Sequence, residues 1–113
     1  MRLIIAMTFV ALALGCGSDS TSPPTTPPSQ VQVNATPSIT FDPSQTEVAV
    51  GGTVTFAFGS VPHNVFFSPQ TGAPADIPGT NANVSMARTF PTAGTYGYDC
   101  HIHPGMHGTI VVR

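Results

Sequence analysis

Gly94-Thr95-Tyr96-Gly97-Tyr98-Asp99-Cys100 decides the fold. In an extended chain successive side chains point to opposite faces, so Tyr96, Tyr98 and Cys100 share one face and Thr95, Gly97 and Asp99 the other. Two aromatic rings on one side only is the pattern of a strand with one face on a core. Pro91-Thr92-Ala93-Gly94 supplies the turn that leads into it.

The same period recurs upstream. Ile39 and Phe41 alternate with Ser38 and Thr40, and Val48 and Val50 with Glu47 and Ala49. After a Gly51-Gly52 turn, Val54, Phe56 and Phe58 oppose Thr53 and Thr55. Further extended runs follow at Asn64–Phe67, Val84–Phe90 and Thr109–Val112, whereas Ser68–Asn81, rich in Pro and Gly, reads as one long loop. No stretch after residue 36 carries a helical period over ten residues. The expectation is an all-β, Greek-key β-sandwich of about seven to eight strands.

Past Cys100 the chain continues His101-Ile102-His103-Pro104-Gly105-Met106, and His63 stands upstream. Thiolate, imidazole and a weak thioether form the ligand set of a blue-copper electron-transfer site. The alternation carries Cys100 inward with Tyr96 and Tyr98, which suits a buried ligand better than a surface thiol. Taken alone, Cys100 also has the reading of a small buried core residue. A lone thiol in an oxidising compartment is a liability unless it is buried or metal-bound.

Cys-x-x-His-x-x-Met over Cys100, His103 and Met106 resembles the ligand loop of the cupredoxins, the small blue copper proteins, in the short spacing of amicyanins. Pro62-His63-Asn64-Val65 resembles the segment that supplies their first histidine, and Gly94–Tyr98 the strand leading to their cysteine. The resemblance covers residues 37–113. It implies one type 1 copper ion per domain, with His63, Cys100 and His103 in a trigonal plane and Met106 at a long axial distance. It further implies that Asn64 ties the two ligand loops together, and that Pro104, lacking an N–H, withholds a hydrogen bond from the thiolate.

His101 stands where the family commonly has a small hydroxyl residue. It reads either as an exposed imidazole or as an accessory metal ligand, and His107 likewise. Tyr96, Tyr98 and Met86 read as core residues. No Ser-His-Asp grouping, paired carboxylates or phosphate loop appears, so the expectation is a protein that is not an enzyme.

The N-terminus addresses the chain. Met1-Arg2, an apolar run from Leu3 to Leu14 and then Gly15-Cys16 describe a secretory signal over residues 1–15. Twelve residues reach only about 18 Å as a helix, short of ~30 Å of hydrocarbon. Ala13-Leu14-Gly15-Cys16 resembles a lipobox, which makes Cys16 the lipidated mature N-terminus. Cys100 then has no disulfide partner within the chain. Residues 16–36, dominated by Ser, Thr and Pro, read as a tether reaching up to about 60 Å when extended. That leaves residues 37–113 as the folded domain, held outside the cytoplasm by a membrane anchor, in the periplasm or on the outer surface.

After signal removal Arg88 and Arg113 face five carboxylates, with no lysine anywhere. Such a surface has no basic patch for phosphates, which excludes nucleic-acid binding. The expected partners are redox proteins met transiently by a monomer, through a small patch of Pro62, Pro104 and Gly105 beside His103. A second expectation is copper storage or delivery, with His101 and His107 helping to load the ion. An enzyme with an open copper position is the third, opposed by Met106 at the axial spacing.

Overall fold

The computed structural model describes residues 26–113. The leader, Cys16 and the tether up to residue 25 lie outside the described residues. Nine strands run in chain order: β1 (Gln30–Ala35), β2 (Phe41–Asp42), β3 (Gln45–Val48), β4 (Gly52–Phe58), β5 (His63–Phe67), β6 (Ile77–Asn81), β7 (Val84–Phe90), β8 (Gly94–Asp99) and β9 (His107–Val112). They form two sheets, ordered β2-β1-β4-β7 and β3-β9-β8-β5-β6. The pairs β1·β4 and β3·β9 are parallel and the rest antiparallel.

Alternation places the core between the sheets. Val54, Phe56 and Phe58 of β4 are buried against Tyr96 and Tyr98 of β8 and Ile110 and Val112 of β9. Phe56 meets Tyr98 edge-on at a ring separation of 5.3 Å, and Phe41 meets it at 4.8 Å. Such edge-to-face pairs each add about 0.5–1.5 kcal/mol to the burial itself. Tyr96 closes the turn before β8: its O–H donates to the Thr92 carbonyl at 2.7 Å, the hydrogen bond of a tyrosine corner. Met86 packs partly buried against the core.

Four expectations are corrected. The folded unit begins before residue 37, because Gln30–Ala35 is a strand and not tether. Val33 and Ala35 are buried, and β1 runs in register beside β4 from Gln30↔Thr53 to Ala35↔Phe58. Burying a side chain such as Val33 gains about 1.5–3 kcal/mol, which the tether reading left out. Second, Ser68–Asn81 is not all loop, since Ile77–Asn81 pairs with β5 as an edge strand. Pro78 and Gly79 suit an edge, where a missing N–H and a positive φ cost little.

Third, Ile39 does not point inward with Phe41: it has φ 62° and is 45% exposed. The chain turns there, with Ile39 N–H donating to Thr36 O (3.1 Å) and Thr36 N–H to Thr40 O (2.9 Å). Fourth, Val50 lies beyond the end of β3 and is 51% exposed.

Candidate metal centre

The site lies at one end of the sandwich, where β5 begins and β8 ends. β5 starts at His63, and between the register pairs His63↔Asn81 and Val65↔Ile77 it advances two residues while β6 advances four. The extra length of β6 arches over Asn64, which is buried although a regular strand would turn it outward. Asn64 uses both ends of its amide there. Its Nδ2–H donates to Gly79 O (3.1 Å), and its Oδ1 accepts from the His101 backbone N–H (2.7 Å). One side chain thus ties the strand of His63 to the residue after Cys100.

The loop after β8 is closed by its own backbone. Cys100 N–H donates to Met106 O (2.9 Å) and Met106 N–H to His103 O (3.1 Å). His103-Pro104-Gly105-Met106 is therefore a β-turn, with proline second and glycine third at φ 90°, the sequence signature of type II. The turn brings His103 and Met106 to the same end of the loop. Cys100 and Met106 are both 2% exposed, His63 is fully buried and His103 half-buried.

Three ligand atoms converge. His63 Nδ1 and His103 Nδ1 are 3.1 Å apart, and Cys100 Sγ lies 4.0 Å from the first and 3.7 Å from the second. Bonds of about 2.0–2.3 Å spread at trigonal angles put such atoms about 3.5–3.7 Å apart, so the triangle fits one small transition-metal ion. The donor chemistry fits copper: two imidazoles, a thiolate and a buried thioether nearby.

The orientation of His63 is set from outside the triangle. Its Nε2–H donates to the Thr36 carbonyl (2.9 Å), which leaves Nδ1 as the bare lone pair facing Cys100. Thr36 belongs to the stretch read as tether, and a backbone carbonyl carries no residue signature. Only the Val31, Val33, Ala35 alternation just before it could have flagged its position.

Burial pushes the His63 pKa below its ordinary value, the Thr36 bond opposes this, and neighbouring His103 adds a smaller push downward. An imidazole depressed on folding stays neutral in the folded chain while its unfolded counterpart takes up a proton. The stability it contributes is present above the unfolded value of about 6.5 and is lost as pH falls through the folded value. Thermal unfolding of the metal-free protein is therefore expected to show a lower midpoint at pH 5 than at pH 7.5. A His63→Gln variant that keeps the same dependence would refute the assignment to His63.

His101 and His107 stand outside the triangle. The His101 ring stacks on Phe66 with a centroid separation of 3.8 Å, and His107 is exposed.

Residues 29–113 match the profile of copper binding proteins of the plastocyanin/azurin family. Plastocyanin of Scenedesmus fuscus is 36% identical over 91 residues, covering 66% of this chain and 88% of its own. Amicyanin of Paracoccus denitrificans is 37% identical over 76 residues, covering 65% of this chain and 58% of its own, and amicyanin-alpha of Methylorubrum extorquens is 33% identical, covering 65% and 64%. The chain thus spans less than two thirds of the length of both amicyanins. Among solved structures, a reduced amicyanin mutant superposes with a TM-score of 0.65 at 32% identity, covering 75% of this chain and 83% of that one. A mutant fern plastocyanin gives 0.65 at 26% identity, covering 74% and 100%. The chain belongs to the plastocyanin/azurin family of copper-binding proteins, the cupredoxins, whose members carry electrons.

Proposed function

We propose that this chain is a membrane-tethered carrier that passes single electrons between protein partners outside the cytoplasm. The observation that carries the reading is the buried triangle of His63 Nδ1, His103 Nδ1 and Cys100 Sγ, built on strand ends and closed by backbone hydrogen bonds. Copper held there supplies a one-electron couple. His63, Cys100 and His103 would hold the ion, with the buried Met106 thioether as a further weak donor.

The chain's own contribution is rigidity and access. The Thr36 carbonyl, the Asn64 amide and the His103–Met106 turn fix the ligands in one arrangement for both oxidation states, which keeps reorganisation small. Pro104 has no N–H to offer the thiolate, which favours a higher potential. His103 is the ligand nearest solvent, flanked by exposed Pro104 and Gly105 and by Ile102. Exposed Ile39 lines a groove of about 190 Å³ with Gly105, Met106 and His107 at this end. A small, mostly uncharged patch of this kind suits brief contacts with redox proteins by a monomer. Cys16, lipidated, holds the domain at the membrane.

The test is visible absorption and EPR of the purified protein with one equivalent of Cu(II). The expected result is an intense blue charge-transfer band with narrow copper hyperfine splitting. A pale sample with an ordinary copper spectrum would overturn the carrier reading in favour of copper storage through His101 and His107. Met106→Leu is expected to keep the blue colour and raise the midpoint potential in voltammetry, because a weak thioether donor would be lost. An unchanged potential would remove Met106 from the ligand set.

A further inference from the structure

A second group of metal-ligating side chains stands on the outer surface at the end of β8, and the buried triangle uses none of it. Asp99 is the register partner of His107 on β9 and of Phe66 on β5. Directly paired residues of antiparallel strands project to the same face with Cβ atoms about 4.5–5.5 Å apart. Phe66, Asp99 and His107 thus form a row on the outside of the five-stranded sheet. His101 folds back over this row. Its ring stacks on Phe66 with an interplanar angle of 2°, and its Nε2 faces Asp99 Oδ2 at 3.7 Å.

That separation is too long for a hydrogen bond. It matches two ligand atoms on one small divalent ion, since bonds of about 2.0–2.2 Å at tetrahedral to trigonal angles place them about 3.3–3.8 Å apart. The Phe66 stack holds the His101 imidazole in that pose without occupying its nitrogen. His107 Nδ1–H donates to the Gly105 carbonyl at 3.0 Å, which leaves Nε2 as the bare lone pair.

We propose that Asp99, His101 and His107 form a second, surface metal site that takes a divalent borderline cation, Cu²⁺ or Zn²⁺. Imidazole and carboxylate with water in the remaining positions is a donor set for both ions, and Cu²⁺ binds the tighter of the two. Asp99 and His101 are already set. Among the described residues the only three such ligand atoms within 4.8 Å of one another belong to the buried triangle, so His107 completes the outer site by turning its exposed ring, which gives up the Gly105 contact. The two sites are chemically distinct because the outer one has no thiolate, and its copper is pale where the inner one is blue.

The probe is Zn²⁺ titrated calorimetrically into the full chain already loaded with one equivalent of copper, with the blue band followed in parallel. One further equivalent is expected to bind with the blue band unchanged. Asp99→Asn, His101→Ala and His107→Ala are each expected to weaken it about tenfold or more, also without loss of colour. An intact blue band shows that each variant is folded. Absence of a second equivalent, binding that ignores all three substitutions, or bleaching of the blue band as zinc enters the inner site would each overturn the proposal.

Discussion

Cys100→Ser is expected to abolish the blue band and to lower copper affinity by more than about 100-fold, a larger loss than removal of an outer-shell partner brings. The sulfur supplies both the colour, through thiolate-to-copper charge transfer, and the softest bond of the set. A serine hydroxyl at that position does not ionise near neutral pH and leaves two imidazoles and a thioether. The effect reaches stability through linkage. A ligand present at 1,000 times its dissociation constant stabilises the folded state by about 4.1 kcal/mol, which raises the midpoint of a domain this size by about 15 °C or more. Copper addition at the same concentration should therefore raise the melting temperature of Cys100→Ser by no more than about a third of the rise in the native chain.

The metal-free forms separate ligation from packing. Cys100 is 2% exposed, so a buried serine hydroxyl costs about 1–3 kcal/mol if it finds no partner. Cys100→Ala removes the ligand without adding a polar atom. Both variants should lose colour and most of the copper-induced stabilisation, while only the serine variant should carry the hydroxyl penalty. A blue band surviving in either would mean that Cys100 is not a ligand.

The parts of the fold that were legible in the sequence are those whose burial follows a strict period of two. Val54, Phe56 and Phe58, then Tyr96, Tyr98 and Cys100, announce their inward face directly, and all six are buried. Where alternation failed, a backbone turn had taken precedence. Ile39 keeps its place in the pattern but not in the core, because the chain bends at Thr36–Thr40 to aim a carbonyl at His63. β1 was hidden by the opposite error: polar composition outweighed three small apolar residues at alternate positions, although a partner strand was available to bury two of them.

The site divides in the same way. His63, Cys100, His103 and Met106 are visible as residue types at a spacing, and the Pro-Gly pair between the last two is visible as a turn. The Thr36 carbonyl, the arch of β6 over Asn64 and the stack of His101 on Phe66 depend on strand register, which no local pattern records. What orients the ligands is thus less legible than what the ligands are. The outer His101–Asp99 pair belongs to this second kind, since it exists only because β5 and β8 align Phe66 with Asp99.

Gly108→Ala is expected to destabilise the protein by about 3 kcal/mol or more, at the upper end of overpacking effects. Gly108 on β9 is the register partner of Tyr98 on β8, and the phenol lies over the glycine, an aromatic covering the gap a strand glycine leaves. A Cβ at position 108 would meet the ring at three atoms, the nearest being Tyr98 Oη, with Cζ and Cε2 close behind. The ring has no room to yield, because Phe41, Phe56 and Phe67 hold it at separations of 4.8, 5.3 and 6.0 Å. Tyr98 also pins the strand that ends one residue before Cys100, so the strain reaches the metal ligand through the backbone of β8. Removing the hydroxyl alone relieves only the nearest contact, and the double variant Gly108→Ala with Tyr98→Phe should recover a minor part of the loss. Tyr98→Phe by itself should be neutral or slightly stabilising. Burial holds the phenol pKa above its ordinary value, and Oη has no hydrogen-bond partner among the described residues, so its removal costs no bond seen there. Urea unfolding of the four forms, native, two single variants and the double, measures the series. A Gly108→Ala variant within about 1 kcal/mol of the native chain would show that Tyr98 can move aside, and the packing account of this strand pair would fail.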